Sequence, residues 1–402
     1  MIPMEILREA LPVFDTGKAK TGVTCPISSP SIGDKWAVTD PVTGHTSMLK
    51  VWLPFRSAVR MQAGFDPKVV ELKKLPNFGV WATAQYGDQR VADLVPDFDP
   101  AYRPEWSHVF KILQILRNDN RPGRGQAYLA SGEAGTGKTS CILWVHAVLG
   151  IPLVQFNCTE SSDITDLFVR QIPSEGKWVN SPGAALRAVR HGWSLLVDEI
   201  DLAPAALPPA LNDLVEGYAY SVPGYKIPVV RGNANFHVFA TGNTGVTANE
   251  KAVYQGRNLI DASFRSRCLC DHYANPTESD ICALIKARYG DTVNTPIVAA
   301  TANFAVNLNK QWGEQGIDNF GPRQIFQFID ALEASKEYLI NPLGYALFSA
   351  IPAMEEDVSI RSDVWNVFIS SFAAFLNGAD LESTYASRFQ TIEESGEEDE
   401  KD

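Results

Sequence analysis

The chain is short of positive charge: 35 lysines and arginines stand against 47 aspartates and glutamates, a formal net charge of −12 over 402 residues. A field of that sign repels polyanions and disfavours nucleic acid and anionic membrane as partners, unless a local basic channel is built. Long apolar runs are also missing. No uninterrupted stretch is long enough to span a bilayer, and Met1-Ile2-Pro3-Met4-Glu5 lacks the basic-then-apolar pattern of a secretion signal. Cysteine is scarce, with Cys25, Cys141, Cys158, Cys268, Cys270 and Cys282 scattered along the chain. Cys268-Leu269-Cys270 points two thiols to one face of a strand, but no second pair follows at zinc spacing, so buried, reduced thiols in a cytoplasmic protein are expected. What remains is an ordinary globular composition, 45% hydrophobic and 20% charged, with length enough for two or three domains.

One stretch stands out. Ala130-Ser131-Gly132-Glu133-Ala134-Gly135-Thr136-Gly137-Lys138-Thr139-Ser140 is a full match to the phosphate-binding pattern G-x-x-x-x-G-K-[ST]. Gln126 to Ala130 before it reads as a buried strand, and Cys141 to Leu149 after it is apolar at helical spacing. Gly132, Gly135 and Gly137 let the backbone curl until its N–H groups converge on an anion. The helix that follows adds the partial positive charge of its N-terminus. Gly132 to Ser140 are therefore the candidate nucleotide-binding residues. Lys138 would reach the β- and γ-phosphates, and the Thr139 hydroxyl would ligate Mg²⁺. A glycine-rich turn that binds nothing is the plain alternative, which the complete match in strand–loop–helix context disfavours.

The rest of the chain takes its meaning from that motif. Residues 1–94 form an accessory region, with a short helix at Glu5 to Phe14 and a β-containing part in which turn formers alternate with β-branched residues. Residues 95–104 hold three prolines and read as a stiff linker. Residues 105–275 read as an α/β core with a parallel sheet, 276–390 as helical, and 391–402 as an acidic, disordered tail. Within the core, Trp193 to Val197 is an apolar run ending in Asp198-Glu199, sixty residues beyond Lys138. After a P-loop this is the Walker B pattern: Asp198 would hold Mg²⁺ through its water shell, and Glu199 would orient or deprotonate the attacking water. Phe236 to Asn243 is a second buried strand ending on a polar residue, and Asn243 would hydrogen-bond the water or the γ-phosphate. Two hairpins are expected, one turning at Ser174-Glu175-Gly176-Lys177 and one near Pro223-Gly224. Trp178 is expected to pack the first onto the core. Asn258 to Arg267 reads as a helix, with Arg265 and Arg267 at its end. They are either helix-end charges or an arginine finger offered to a neighbour's γ-phosphate.

Taken in order, Gly132–Thr139, Asp198-Glu199, Asn243, Arg265/Arg267 and Arg323 resemble the motif set of an AAA+ ATPase. The two hairpins resemble the branch with an insert in the second helix, which includes MoxR-type proteins. Gly176-Lys177-Trp178, Pro182 and Arg187 to Gly192 resemble the insert of rubisco-activating members. Val95 to Arg103, Ala240-Thr241-Gly242-Asn243-Thr244 and Tyr254-Gln255-Gly256 resemble the ATPase subunit of aerobic cobaltochelatase (CobS-like). The similarity covers roughly residues 95 to 330. It implies a homo-oligomeric ring, a hexamer, with ATP between neighbours and Mg²⁺ as cofactor. It implies a protein partner carrying a von Willebrand A domain, Arg267 as the finger with Arg265 as runner-up, and Arg323 as the second sensor in the helical lid. The expected function is Mg-ATP hydrolysis coupled to work on a protein partner. Two rivals are a restriction-type nucleic-acid motor and a nucleotide-dependent scaffold without catalysis. The acidic balance and the Thr241 to Thr244 segment count against the first, and Glu199 with Asn243 against the second.

Overall fold

The computed structural model describes residues 20–22, 25, 27, 29–41, 43–117, 126–174, 176–218, 220–221, 229–230, 233–243, 258–315, 319–376, 378 and 380–392. The expected helix at Glu5 to Phe14, the turn at Pro223-Gly224, Thr244, Tyr254 to Gly256 and the acidic residues 393–402 lie outside the described residues. The chain divides into two compact units, Met1–Gly132 with Lys138–Tyr273, and Glu133–Gly137 with Ala274–Asp402.

The first unit contains two sheets. Strands β1 (Lys20–Gly22), β2 (Lys35–Thr39), β3 (Thr46–Pro54) and β4 (Gly79–Tyr86) form a four-stranded sheet in chain order, antiparallel except for the β1–β2 pair. Next along the chain are β5 (Ala127–Gly132), β6 (Leu153–Asn157), β7 (Val169–Ser174), β8 (Lys177–Pro182), β9 (Ser194–Asp198), β10 (Tyr220–Ser221), β11 (Val229–Val230), β12 (His237–Gly242) and β13 (Cys268–Tyr273). Five of these build a parallel sheet in the order β13-β5-β12-β9-β6. Its central strands β5 and β12 are buried at every residue, as expected where helices cover both faces and the strand is a continuous apolar run. The other four strands pair as two antiparallel hairpins, β7–β8 and β10–β11, at the two places the sequence predicts. This is a mixed α/β fold consistent with a P-loop AAA+ core and a helical C-terminal region.

Beyond its first turn the helix Lys138–Leu149 is apolar save for His146, and near-complete burial from Cys141 onward accounts for this. His146 meets Phe239 of β12 edge-to-face at 4.8 Å, while Trp144 packs against Phe55, Phe98 and Tyr102 from the N-terminal region and the 95–104 segment. Tyr86 donates to the Gly150 carbonyl at 2.8 Å and Gln62 to that of Val148 at 2.9 Å. Both hydrophobic clusters of this unit mix residues of the two sheets: Trp36, Val38 and Met48 with Leu129 and Val197, and Val51, Leu53 and Val80 with Tyr128 and Leu196.

The second unit is helical, with helices at Glu278–Tyr289, Thr295–Gln315, Pro322–Ser335, Pro342–Ala350, Ala353–Glu356, Val358–Phe372 and Leu381–Ser387. Local caps set the starts: Thr277 and Asp280 form a capping box, and Asp357 and Asp380 accept from the first-turn N–H groups. Phe304, Phe320, Phe328, Phe368 and Phe372 interlock at its centre. Ile392 donates to the Tyr338 carbonyl at 3.0 Å, so the last described residues are paired. Among the described residues, no helix is long and apolar enough to cross a membrane.

Candidate functional site

The site lies where β5, β12 and β9 end. Parallel register puts Thr241 beside Ala130 and Ala240 beside Val197, so the three strands deliver their last residues to one edge. At the end of β5 the loop turns on Gly132, Gly135 and Gly137, with φ of 138°, 78° and 90°. A Cβ on Gly132 would lie 2.3 Å from the Tyr273 carbonyl oxygen, so only glycine fits. The helix begins at Lys138, whose buried Nζ donates to the Gly132 carbonyl at 2.8 Å. Thr136 braces the loop from within by donating to the Glu133 carbonyl at 2.9 Å. Ala134 and Ser140 sit in the same loop and first turn, Ser140 exposed. The loop turns on three glycines in left-handed backbone, at one of which a Cβ has no room, and such a loop ahead of a helix N-terminus suits a phosphate chain.

Thr139 and Asp198, the pair proposed for Mg²⁺, are together: the Thr139 hydroxyl donates to Asp198 Oδ1 at 3.0 Å. Two hard oxygen donors beside a phosphate cradle fit that ion. The next residue, Glu199, has φ of 54° and ψ of 45°, the only non-glycine residue with positive φ among the described residues. A left-handed glutamate costs about 1–3 kcal/mol and persists only where its surroundings hold it. The holding group is Thr241, which sequence reasoning quoted but gave no role. Its hydroxyl accepts from the Glu199 N–H at 3.1 Å and donates to Asp198 Oδ1. Asn243 is at the same edge, and its N–H donates to Asp201 Oδ2 at 3.0 Å. Cys158 registers the negative charge gathered here: burial first, then Asp198, Asp201 and Glu199, push its thiol up to about 12.

In the helical unit, which includes the loop residues Glu133–Gly137, the Glu133 carboxylate accepts from Asn275 at 2.8 Å and from Asn319. Neither asparagine carries a motif signal. Gly321, which opens the helix Pro322–Ser335, passes close to the loop: a Cβ there would stand 3.3 Å from the Gly135 Cα. Arg323 is the second residue of that helix and is exposed.

The other two arginines lie elsewhere. Arg265 ends the helix Ala262–Arg265, shorter than the Asn258 to Arg267 span expected. Arg267 is ion-paired with Glu216 at 3.0 Å and donates to the Ser263 carbonyl at 2.7 Å. It precedes β13 and sits beside Ala127, the first residue of β5. The loop leaves the other end of that strand, five rises or roughly 17 Å away. The structure therefore brings Lys138, Thr139, Asp198, Glu199 and Asn243 together and keeps Arg267 away from its own P-loop.

One expectation is reversed. Trp178 does not pack the β7–β8 hairpin onto the core; it is 72% exposed, with Ile172 and Val179 also exposed across the ribbon. Beyond its base the hairpin is exposed on both strands, Arg170 to Ser174 and Lys177 to Val179, so the indole gains no burial from the core.

Residues 128–268 match the family model of the AAA domain, dynein-related subfamily. The chain is 28% identical over 176 residues to the midasin of Dictyostelium discoideum and 33% identical over 144 residues to that of Giardia intestinalis. These alignments cover 44% and 35% of this chain but only 3% of either midasin. A protein of Staphylococcus epidermidis is 29% identical over 122 residues, covering 29% of this chain and 46% of its own length. A solved structure described as a candidate ATPase from Cytophaga hutchinsonii aligns over 74% of this chain and 92% of its own, at 14% identity and a TM-score of 0.35. The matched segment, the parallel sheet and the P-loop at its edge together support an AAA+ ATPase.

Proposed function

We propose that the chain is the motor subunit of a ring, a MoxR- or cobaltochelatase-type ATPase that couples Mg-ATP hydrolysis to remodelling or activating a protein partner with a von Willebrand A domain. The observation that supports hydrolysis in this reading is the run of oxygens Thr139–Asp198–Thr241 at the strand ends, with Glu199 as the next residue. A scaffold that only binds nucleotide has no use for a strained glutamate at that point.

In this mechanism the triphosphate fills the loop and Lys138 exchanges the Gly132 carbonyl for phosphate oxygens. Mg²⁺ held by Thr139 and Asp198 would offset charge on the β- and γ-phosphates. Asn243 orients a water in line with the γ-phosphorus, and Glu199 takes its proton as the new P–O bond forms and the bond to the ADP oxygen breaks. Arg267, too far from its own P-loop along β5, would leave Glu216 to serve the next subunit's γ-phosphate, with Arg265 as the alternative. Arg323 would meet phosphate from the helix whose start touches Gly135. The exposed Trp178, Ile172 and Val179 favour the β7–β8 hairpin as the part that meets the partner or the ring pore.

Phosphate release and nucleotide binding test the reading. Lys138→Ala should weaken ATP binding, and Glu199→Gln should bind ATP but turn it over slowly. Wild-type turnover in Glu199→Gln would remove Glu199 from the mechanism.

A further inference from the structure

We infer that Thr241 and Asp201 are positioning residues that form a reciprocal latch, each holding the backbone of the functional residue on the other's strand. The inference deepens the ATPase reading above and rests on it for its catalytic consequence. Strands β9 and β12 run in parallel register as far as Val197 and Ala240, where the ladder stops. Past that point the N–H groups of Glu199, an exposed residue, and of Asn243, a buried one, lie beyond the ladder and take their acceptors from side chains. Each finds one across the gap. Thr241, from β12, takes the Glu199 N–H at 3.1 Å, and Asp201, from the turn after β9, takes the Asn243 N–H at 3.0 Å. Thr241 is 2% exposed and Asp201 1%, so water cannot replace either acceptor cheaply.

The chemistry of the two acceptors differs. A threonine hydroxyl has one proton and two lone pairs. Here the proton goes to Asp198 Oδ1 and a lone pair receives the Glu199 N–H, so one group fixes both the side chain of Asp198 and the backbone of Glu199. Asp201 acts through both ends: its carboxylate holds Asn243, and its own carbonyl accepts from the Asn258 N–H at 2.7 Å, anchoring the segment that leads to Arg265 and Arg267. A carboxylate buried and engaged in this way serves as a fixed strut rather than as a second base.

Two pairs of variants of the full chain test the latch. Thr241→Val keeps the shape and removes the hydroxyl; Thr241→Ser keeps the hydroxyl. The valine variant should lose about 10- to 100-fold in kcat with KM for ATP little changed, the size seen when an outer positioning group is removed. The serine variant should restore most of it. In nucleotide-free protein, the Glu199 amide should exchange its hydrogen about tenfold faster in Thr241→Val than in Thr241→Ser. Asp201→Leu should do the same to the Asn243 amide relative to Asp201→Asn, which keeps an acceptor oxygen. Should Asp201→Leu fail to fold, the threonine pair still decides. Equal exchange and equal kcat in Thr241→Val and Thr241→Ser would overturn the latch. A wild-type protein that hydrolyses no ATP would instead sink the ATPase reading, and the exchange measurements would still judge the latch.

Discussion

At the scale of single residues, backbone conformation says as much about this site as side-chain chemistry. Gly132→Ala would force a Cβ into left-handed backbone and against the Tyr273 carbonyl, so it should cost about 2 kcal/mol or more and weaken ATP binding, checked by denaturant unfolding and nucleotide titration. Glu199→Gly should act the other way. Relieving the left-handed glutamate should stabilise the fold by about 0.5–1 kcal/mol, after glycine's own entropic cost, while abolishing turnover. A denaturation midpoint that falls in Glu199→Gly would show that the backbone there is unstrained. The meeting of Lys138, Thr139, Asp198, Glu199 and Asn243 at one sheet edge is legible in sequence because the first two belong to a fixed-spacing motif and the others end apolar strand runs. Thr241, Asp201, Asn275 and Asn319 are not, because their roles depend on strands and loops that meet only after folding.

At the scale of elements, apolar runs disclosed the buried strands β5, β9 and β12, and a polar turn disclosed the β7–β8 hairpin. The N-terminal sheet was foreseen only as β content, since its pairing depends on contacts far away in the chain. One such contact carries a pH signature. Lys50 of β3 is buried and donates to Asn235, and desolvation lowers its pKa from 10.5 to about 7. The unfolded chain therefore binds more protons than the folded one between those values, and stability rises with pH across that window. The penalty is full below pH about 7 and fades toward 10.5. Unfolding free energy measured from pH 7 to 9 should climb in the wild type and flatten in Lys50→Met. The β7–β8 hairpin predicts the opposite kind of result. Trp178→Ser should leave unfolding within about 0.5 kcal/mol of wild type, because the ring is exposed, yet reduce stimulation of the ATPase by its partner. Undiminished stimulation would remove the hairpin from partner binding.

At the scale of the whole molecule, the position of Arg267 bears on assembly. If one subunit supplies the nucleotide and the next the arginine, activity should rise steeply with protein concentration. Arg267→Ala mixed with Lys138→Ala should then regain turnover that neither has alone, an arginine finger being worth about 10³-fold or more in well-studied cases. Co-assembled mixtures no more active than the separate variants would make Arg267 a structural partner of Glu216 and nothing else. The intermixing of the two sheets has a different consequence. Since each hydrophobic cluster of the first unit draws on both sheets, neither sheet has a private reserve of cohesion. Calorimetry of that unit should therefore record one endotherm rather than two, and a proteolytic nick between the sheets should leave the fragments associated until both melt at the same temperature.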